Sequence, residues 1–180
     1  MTKTLNAELI EQFVKSAVET TATVEKISGT PEALNEALLK EIGEEEFVLL
    51  SHPDDININL FSVFQKNEKV VTQPTREQLK TFKVGVTDAF CGIAKTGSVC
   101  VSISKNMTSP ASMLTRKHIV VVDGETIVPR PSDLFRENYL DGKGLTRSFS
   151  FITGPSATAD MGPLVRGVHG PGKLHIIILE

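Results

Sequence analysis

Apolar positions along the chain recur in two rhythms, one helical and one extended. Between Leu5 and Thr20 the apolar residues Leu9, Ile10, Phe13, Val14 and Val18 fall at helical spacing, which predicts a helix with one face on a sheet. Thr21 to Ile27 is rich in β-branched residues and predicts a strand. Ser28-Gly29-Thr30-Pro31 then reads as a turn into a helix from Pro31 to about Ile42. Thr30 is placed to cap it, Pro31 suits its first turn, and Gly43 marks its end. Phe47 to Ser51 is a short apolar run, expected of a strand buried on both faces. Asn57 to Gln65 is assigned to helix, Lys69 to Thr72 to a short strand and Thr75 to Leu79 to a short helix. Phe82 to Thr87 predicts a strand, Asp88 to Lys95 a short helix, and Ser98 to Ser104 another strand. A turn is expected near Pro110 to Leu114, a strong strand over His118 to Val122, and a small extension over Thr126 to Val128. A helix over Pro131 to Asn138 and a polar loop over Leu140 to Arg147 come next. Two apolar strands, Phe149 to Thr153 and Leu174 to Leu179, close the chain as a rigid pair around a glycine- and proline-rich loop.

Helix alternates with strand in the first half, and strands crowd together in the second. This predicts an α/β fold, a Rossmann-like and mostly parallel sheet with helices on both faces. No linker divides the chain, so residues 1–180 read as one domain. Composition adds exclusions. The 180 residues are 40% hydrophobic and 23% charged with a formal charge of −3, so no broad basic field favours nucleic acid. No apolar run reaches the roughly 20 residues of a membrane span. The amphipathic start MTKTLNAELIEQF lacks a secretory h-region, and the expected location is the cytoplasm. Cys91 and Cys100 form neither a CxxC nor a metal set and read as buried thiols, so an iron–sulfur cluster on four cysteines is not expected. No cofactor is expected.

Three stretches carry residues suited to chemistry. Thr96-Gly97-Ser98 is either an ordinary turn or a backbone cradle for a carboxylate or phosphate. Thr153-Gly154-Pro155-Ser156-Ala157-Thr158-Ala159-Asp160 leaves a strand and is expected to enter a helical turn at Thr158. It is either a capped turn or an anion cradle, and no lysine follows as in a P-loop. His169, in Gly167-Val168-His169-Gly170-Pro171-Gly172, either shuttles a proton or holds its own loop. His175 is read as structural. The four histidines make no zinc pattern, and G-x-S-x-G, G-x-G-x-x-G and Walker A sequences are missing.

The stretch V-G-V-T-D-A-F-C-G-I-A-K-T-G-S-V (Val84 to Val99), then H-I-V-V-V and I-V-P, then T-G-P-S-x-T-A-D and L-V-x-G-V-H-G-P-G-x-L-H-I, resembles the lactate-utilisation (LUD) domain family, LutC-like branch. The resemblance implies a fold like that of the sugar-phosphate isomerase and CoA-transferase (NagB/RpiA/CoA transferase) superfamily. It also implies a subunit or accessory role in bacterial oxidation of L-lactate to pyruvate, beside partners that carry iron–sulfur clusters. Three positions depart from the family pattern: Lys95 stands where an acid is usual, Ala157 where an arginine or lysine is common, and Gly162 where A-D-I-E ends in glutamate. The expected site gathers Thr96, Gly97, Gly154, Ser156, Thr158, Asp160 and His169 into one pocket for a small carboxylate or phosphate, with Asp160 and His169 as candidate acid/base groups. The alternatives are an independent enzyme on a small acyl or phosphorylated substrate, and a non-catalytic binding or regulatory module.

Overall fold

Strands that are apolar on both faces need cover on both faces. The computed structural model, which describes residues 3–45, 47–103, 107–135, 148–159 and 162–180, supplies that cover. In chain order the helices are α1 (Lys3–Glu19), α2 (Pro31–Ile42) and α3 (Thr108–Met113). The strands are β1 (Thr23–Ile27), β2 (Val48–Leu50), β3 (Val70–Val71), β4 (Val84–Ala89), β5 (Cys91–Ile93), β6 (Ser98–Ser102), β7 (Lys117–Asp123), β8 (Phe149–Ile152), β9 (Ala157–Thr158), β10 (Val165–Arg166) and β11 (Lys173–Leu179). Six of them form a parallel sheet in the order β1-β11-β7-β4-β2-β3. This is the α/β architecture expected from the sequence.

Side chains alternate across each strand, and the two sheet faces make two cores. Leu9, Ile10, Phe13 and Ala17 of α1 pack with Val120, Val122, Ile176 and Ile178 on one face. Leu34, Ala37, Leu38 and Ile42 of α2, with Phe61 and Phe64, cover Ile119, Val121, Ile177 and Leu179 on the other. The Thr30 hydroxyl caps α2 by accepting from the Ala33 N–H, and Gly43 ends it at φ +63°. A smaller antiparallel sheet, β5-β6-β8, lies on the α1 side. Val99 and Val101 turn toward the main core, and Cys91 and Cys100 toward a cluster with Phe90, Ile93, Val128 and Leu134.

Several local expectations change. Asp88 to Lys95 is strand and hairpin, not helix: β4 runs on to Ala89, and β5 pairs with β6. Burial overrides helix propensity here, because Cys91 and Ile93 fill one core while Gly92 makes room for the Phe13 ring. Asn57 to Gln65 forms two 3-10 turns, Ile58–Phe61 and Phe64–Lys66. Their single-turn spacing buries Phe61 and Phe64 together. The helix expected from Pro131 is a 3-10 turn over Pro131–Phe135; its continuation and the loop Leu140 to Arg147 lie outside the described residues. The two terminal strands are not a pair. Phe149–Ile152 is an edge of the small sheet, and Lys173–Leu179 lies inside the large one.

At the carboxyl ends of the strands, the buried Asp88 carboxylate pins the loop after β2. Its Oδ2 accepts from the N–H groups of Asp54, Asp55 and Ile56 at 2.9, 2.7 and 3.0 Å. Burial pushes this carboxyl above its ordinary range, and the three N–H bonds oppose that rise. Asp88→Ala leaves three N–H donors, that of Ile56 buried and the other two partly so, without their acceptor, and the expected loss is about 3 kcal/mol by urea unfolding. Asp88→Asn keeps an acceptor oxygen and is expected to lose clearly less.

Candidate functional site

The glycine-rich motifs meet at the amino ends of the parallel strands. Gly97 and Gly154 both take positive φ, +64° and +66°. Each is pressed onto the C-terminal end of α1: a Cβ at Gly97 would lie 2.2 Å from the Ala17 nitrogen, and one at Gly154 would lie 2.4 Å from the Thr20 carbonyl oxygen. Next to them the hydroxyls of Thr96, Ser98 and Thr153 form a chain, with Thr96 Oγ1 to Ser98 Oγ at 2.7 Å and Ser98 Oγ to Thr153 Oγ1 at 2.6 Å. The structure therefore joins the two motifs, Thr96-Gly97-Ser98 and Thr153-Gly154. It spends their glycines on close packing and their hydroxyls on one another.

Ser156 belongs to the next layer. Its N–H donates to the Pro171 carbonyl at 2.8 Å, and its own carbonyl accepts from the Gly167 N–H at 2.9 Å. Thr158 does not begin a helical turn. It lies in β9 and pairs with Val165 of β10, because the alternation of Ala157-Thr158 and Val165-Arg166 closes a short hairpin. Ala157 pairs with Arg166, so a cation stands directly across from the position where the resemblance expects one. Lys95 is exposed, with its N–H donating to the Pro129 carbonyl. Asp160 lies outside the described residues.

A cleft of about 990 Å³ opens beside these loops. His169 lines it together with Gly167, Val168 and Gly170, whereas Thr96, Gly97, Gly154, Ser156 and Thr158 are not among its lining residues. The rest of the wall comes from the end of α2, the end of α3 and the first residues of β4, β7 and β11. Five cations, Lys83, Arg116, Lys117, Arg166 and Lys173, stand there against two carboxylates, Glu41 and Glu45. Lys117 pairs with Glu41, and Lys83 with Glu45. Among the described residues Arg116, Arg166 and Lys173 stand outside these pairs. None of the five was singled out from the sequence, since Lys83, the neighbours Arg116 and Lys117, and Lys173 stand at the starts of three separate strands, and Arg166 ends a fourth. Only the strand order reveals them as a group.

Behind Glu41 lies a polar cluster around the buried His175. His175 Nδ1 is 2.7 Å from Thr23 Oγ1 and 3.6 Å from Glu41 Oε2, and its Nε2 is 3.8 Å from Glu25 Oε2. Burial lowers the His175 pKa and outweighs the attraction of the Glu41 and Glu25 carboxylates. Partial burial pushes Glu41 up, but the Lys117 hydrogen bond and the nearby positive charges leave it below its ordinary value. Glu25, Glu41 and His175 bring donor atoms within 4.8 Å of one another, which is metal-ligand proximity. Lys40 and Lys117 each neutralise one of the carboxylates, so the cluster offers a dication little net charge.

The sequence pattern of the LUD domain matches residues 6–179. The chain belongs to the LUD domain family. This LUD-domain chain is 37% identical over 101 residues to "Lactate utilization protein C" of Bacillus subtilis, a match covering 54% of this chain and 42% of that protein. The matched stretch is thus less than half of the Bacillus relative's length. A protein of the same name from Halalkalibacterium halodurans is 28% identical over 181 residues, covering 96% of this chain and 77% of the relative. Among solved structures, a DUF162 family protein from Deinococcus radiodurans superposes with a TM-score of 0.71 at 20% identity, over 97% of this chain and 98% of that one, which establishes the shared fold. No helix among the described residues is long and apolar enough to cross a membrane.

Proposed function

We propose that this chain is a LutC-like, non-redox subunit of bacterial L-lactate oxidation that works beside iron–sulfur proteins and holds a small anion, a carboxylate or phosphate, in the cleft at the amino ends of the strands. The observation that carries the site is the set Arg116, Arg166 and Lys173, three cations on the cleft wall outside its two ion pairs. Uncompensated cations in a concave wall focus a positive field and attract anions. The lactate part rests on family membership and on the names of the relatives. Packing supports a subunit over an independent enzyme, because the hydroxyl and glycine motifs are engaged in holding loops to α1.

Two measurements test this. Omitting the chain from a reconstituted mixture of the iron–sulfur lactate-utilisation proteins is expected to abolish lactate-dependent dye reduction; undiminished reduction without it ends the subunit reading. An anion at a hundredfold excess over its Kd is expected to stabilise the fold by about 2.7 kcal/mol, with the gain shrinking as salt rises. A flat thermal-shift response to carboxylates and phosphates alike removes the anion site.

A further inference from the structure

The cations of the cleft form a row built by strand register. Lys173 of β11 pairs directly with Lys117 of β7, and Lys117 pairs on its other side with Val84 of β4. Lys83 precedes Val84, and Arg116 precedes Lys117. The Arg116 and Lys117 N–H groups both donate to the Lys83 carbonyl, which holds these residues side by side. Neighbouring strands are about 4.8 Å apart, so the row spans about 10 Å. Like charges in register on adjacent strands repel each other. Glu41 and Glu45 relieve two members of the row and leave Arg116 and Lys173, with Arg166 facing them from β10.

Helix C-termini give a plainer reason for cations, since α2 and α3 both end at this cleft and their carbonyl ends attract positive charge. That reason covers Lys117, whose ammonium donates to the Glu41 carbonyl at 2.7 Å. It does not extend to Lys173 and Arg166, which sit on strands: among the described residues neither side chain donates to a carbonyl at either helix end. The second feature is apolar. Met113 and Leu114 on one wall and Val168 on another are 41%, 67% and 52% exposed, large values for such side chains. The third is size: about 990 Å³ lies at the upper end of sites for cofactor-sized ligands, which run to about 1,000 Å³. A three-carbon acid with one charge matches neither the volume, nor three cations outside the ion pairs of the described residues, nor the apolar walls.

We infer that the cleft binds a phosphate-type ligand with two or more negative charges that carries an apolar group. Its charged end lies along Lys173, Arg116 and Arg166, and its apolar group packs between Met113–Leu114 and Val168. This inference rests on the reading of the cleft as the anion site, and it gives that site a ligand class other than lactate or pyruvate.

The test is calorimetric titration of the full chain with inorganic pyrophosphate, 1-naphthyl phosphate, L-lactate and polyglutamate. Pyrophosphate and naphthyl phosphate are expected to bind at least about tenfold more tightly than L-lactate. Arg116→Gln combined with Lys173→Gln is expected to weaken both phosphates by about tenfold or more. Leu114→Ser is expected to weaken naphthyl phosphate alone. All three side chains are exposed, so the variants are expected to keep the fold, with circular dichroism as the check. Lactate binding as tightly as pyrophosphate, or phosphate binding unchanged in the double variant, overturns the inference. So does polyglutamate binding that pyrophosphate cannot displace, because the cleft would then serve an acidic protein segment. The lactate-oxidation assay is independent of these titrations. A subunit that proves dispensable there but binds pyrophosphate here loses its proposed role and keeps its ligand class.

Discussion

His118→Gln is expected to remove a large part of the acid sensitivity of this fold. His118 is fully enclosed, and burial lowers its pKa from 6.5 to about 3. Its Nε2 lies 2.8 Å from Thr87 Oγ1, while Nδ1 is buried with no hydrogen-bond partner among the described residues, so none of them supports a second N–H on the ring. The sign follows from linkage. Above pH 6.5 the imidazole is neutral in both folded and unfolded chains, and its titration costs nothing. As pH falls from 6.5 toward 3 the unfolded chain takes up a proton that the folded chain refuses. The fold then loses about 1.4 kcal/mol per pH unit from this group, on the order of 4 to 5 kcal/mol over the window. Urea unfolding at pH 7.5, 6, 5 and 4 measures the slope. The glutamine variant starts from a lower stability at pH 7.5, since the packing around the ring is altered, but falls less steeply. His175, whose pKa burial also lowers, and at the acid end Glu41, held below its ordinary value, contribute to the slope that remains. A variant that loses stability toward acid as steeply as the parent excludes His118 as the cause.

Gly97→Ala is expected to damage stability rather than ligand binding. The sequence presents Gly97 as the turning point of a Thr-Gly-Ser anion cradle. The structure presses it onto α1, where an added Cβ would lie 2.2 Å from the Ala17 nitrogen and 2.5 Å from both the Ala17 Cα and the Ser16 carbonyl carbon. These are backbone atoms, which cannot swing aside as a flexible side chain does. The residue also stands at φ +64°, where a Cβ adds strain of its own. Overpacking and backbone strain together predict a loss of about 3 kcal/mol or more. For a chain of this size that lowers the melting temperature by about 10 °C. A glycine kept for ligand approach would behave the other way, with melting unchanged and anion binding gone. A melting temperature within about 2 °C of the parent therefore overturns the packing role.

The readable parts of the fold were those decided within one turn or one strand. Thr30, Pro31 and Gly43 bound α2 because a cap, a first-turn proline and a left-handed terminus act over three or four residues. The runs around Val84 to Thr87 and His118 to Val122 are strands buried on both faces, and uninterrupted β-branched and apolar sequence announces such strands. Asp88 to Lys95 went the other way. Its residues have acceptable helix propensity, and the decision lay with Phe13, which is far off in sequence and needs the space that Gly92 leaves. Asp88 itself carries no local sign of its role, because its three N–H partners come from residues 54–56.

The candidate site divides in the same manner. The sequence by itself determined the family, the α/β class and the stretches where loops are built from glycine, proline and hydroxyl residues, since these are properties of short ordered motifs. Only the tertiary structure decided that Thr96, Ser98 and Thr153 satisfy one another, that Gly97 and Gly154 serve α1, and that the charged cleft lies with His169. It did so because parallel strand order sets Lys83, Arg116, Lys117 and Lys173 side by side from positions up to ninety residues apart. Charge at such a site adds up through space, and spacing along the chain carries no trace of it.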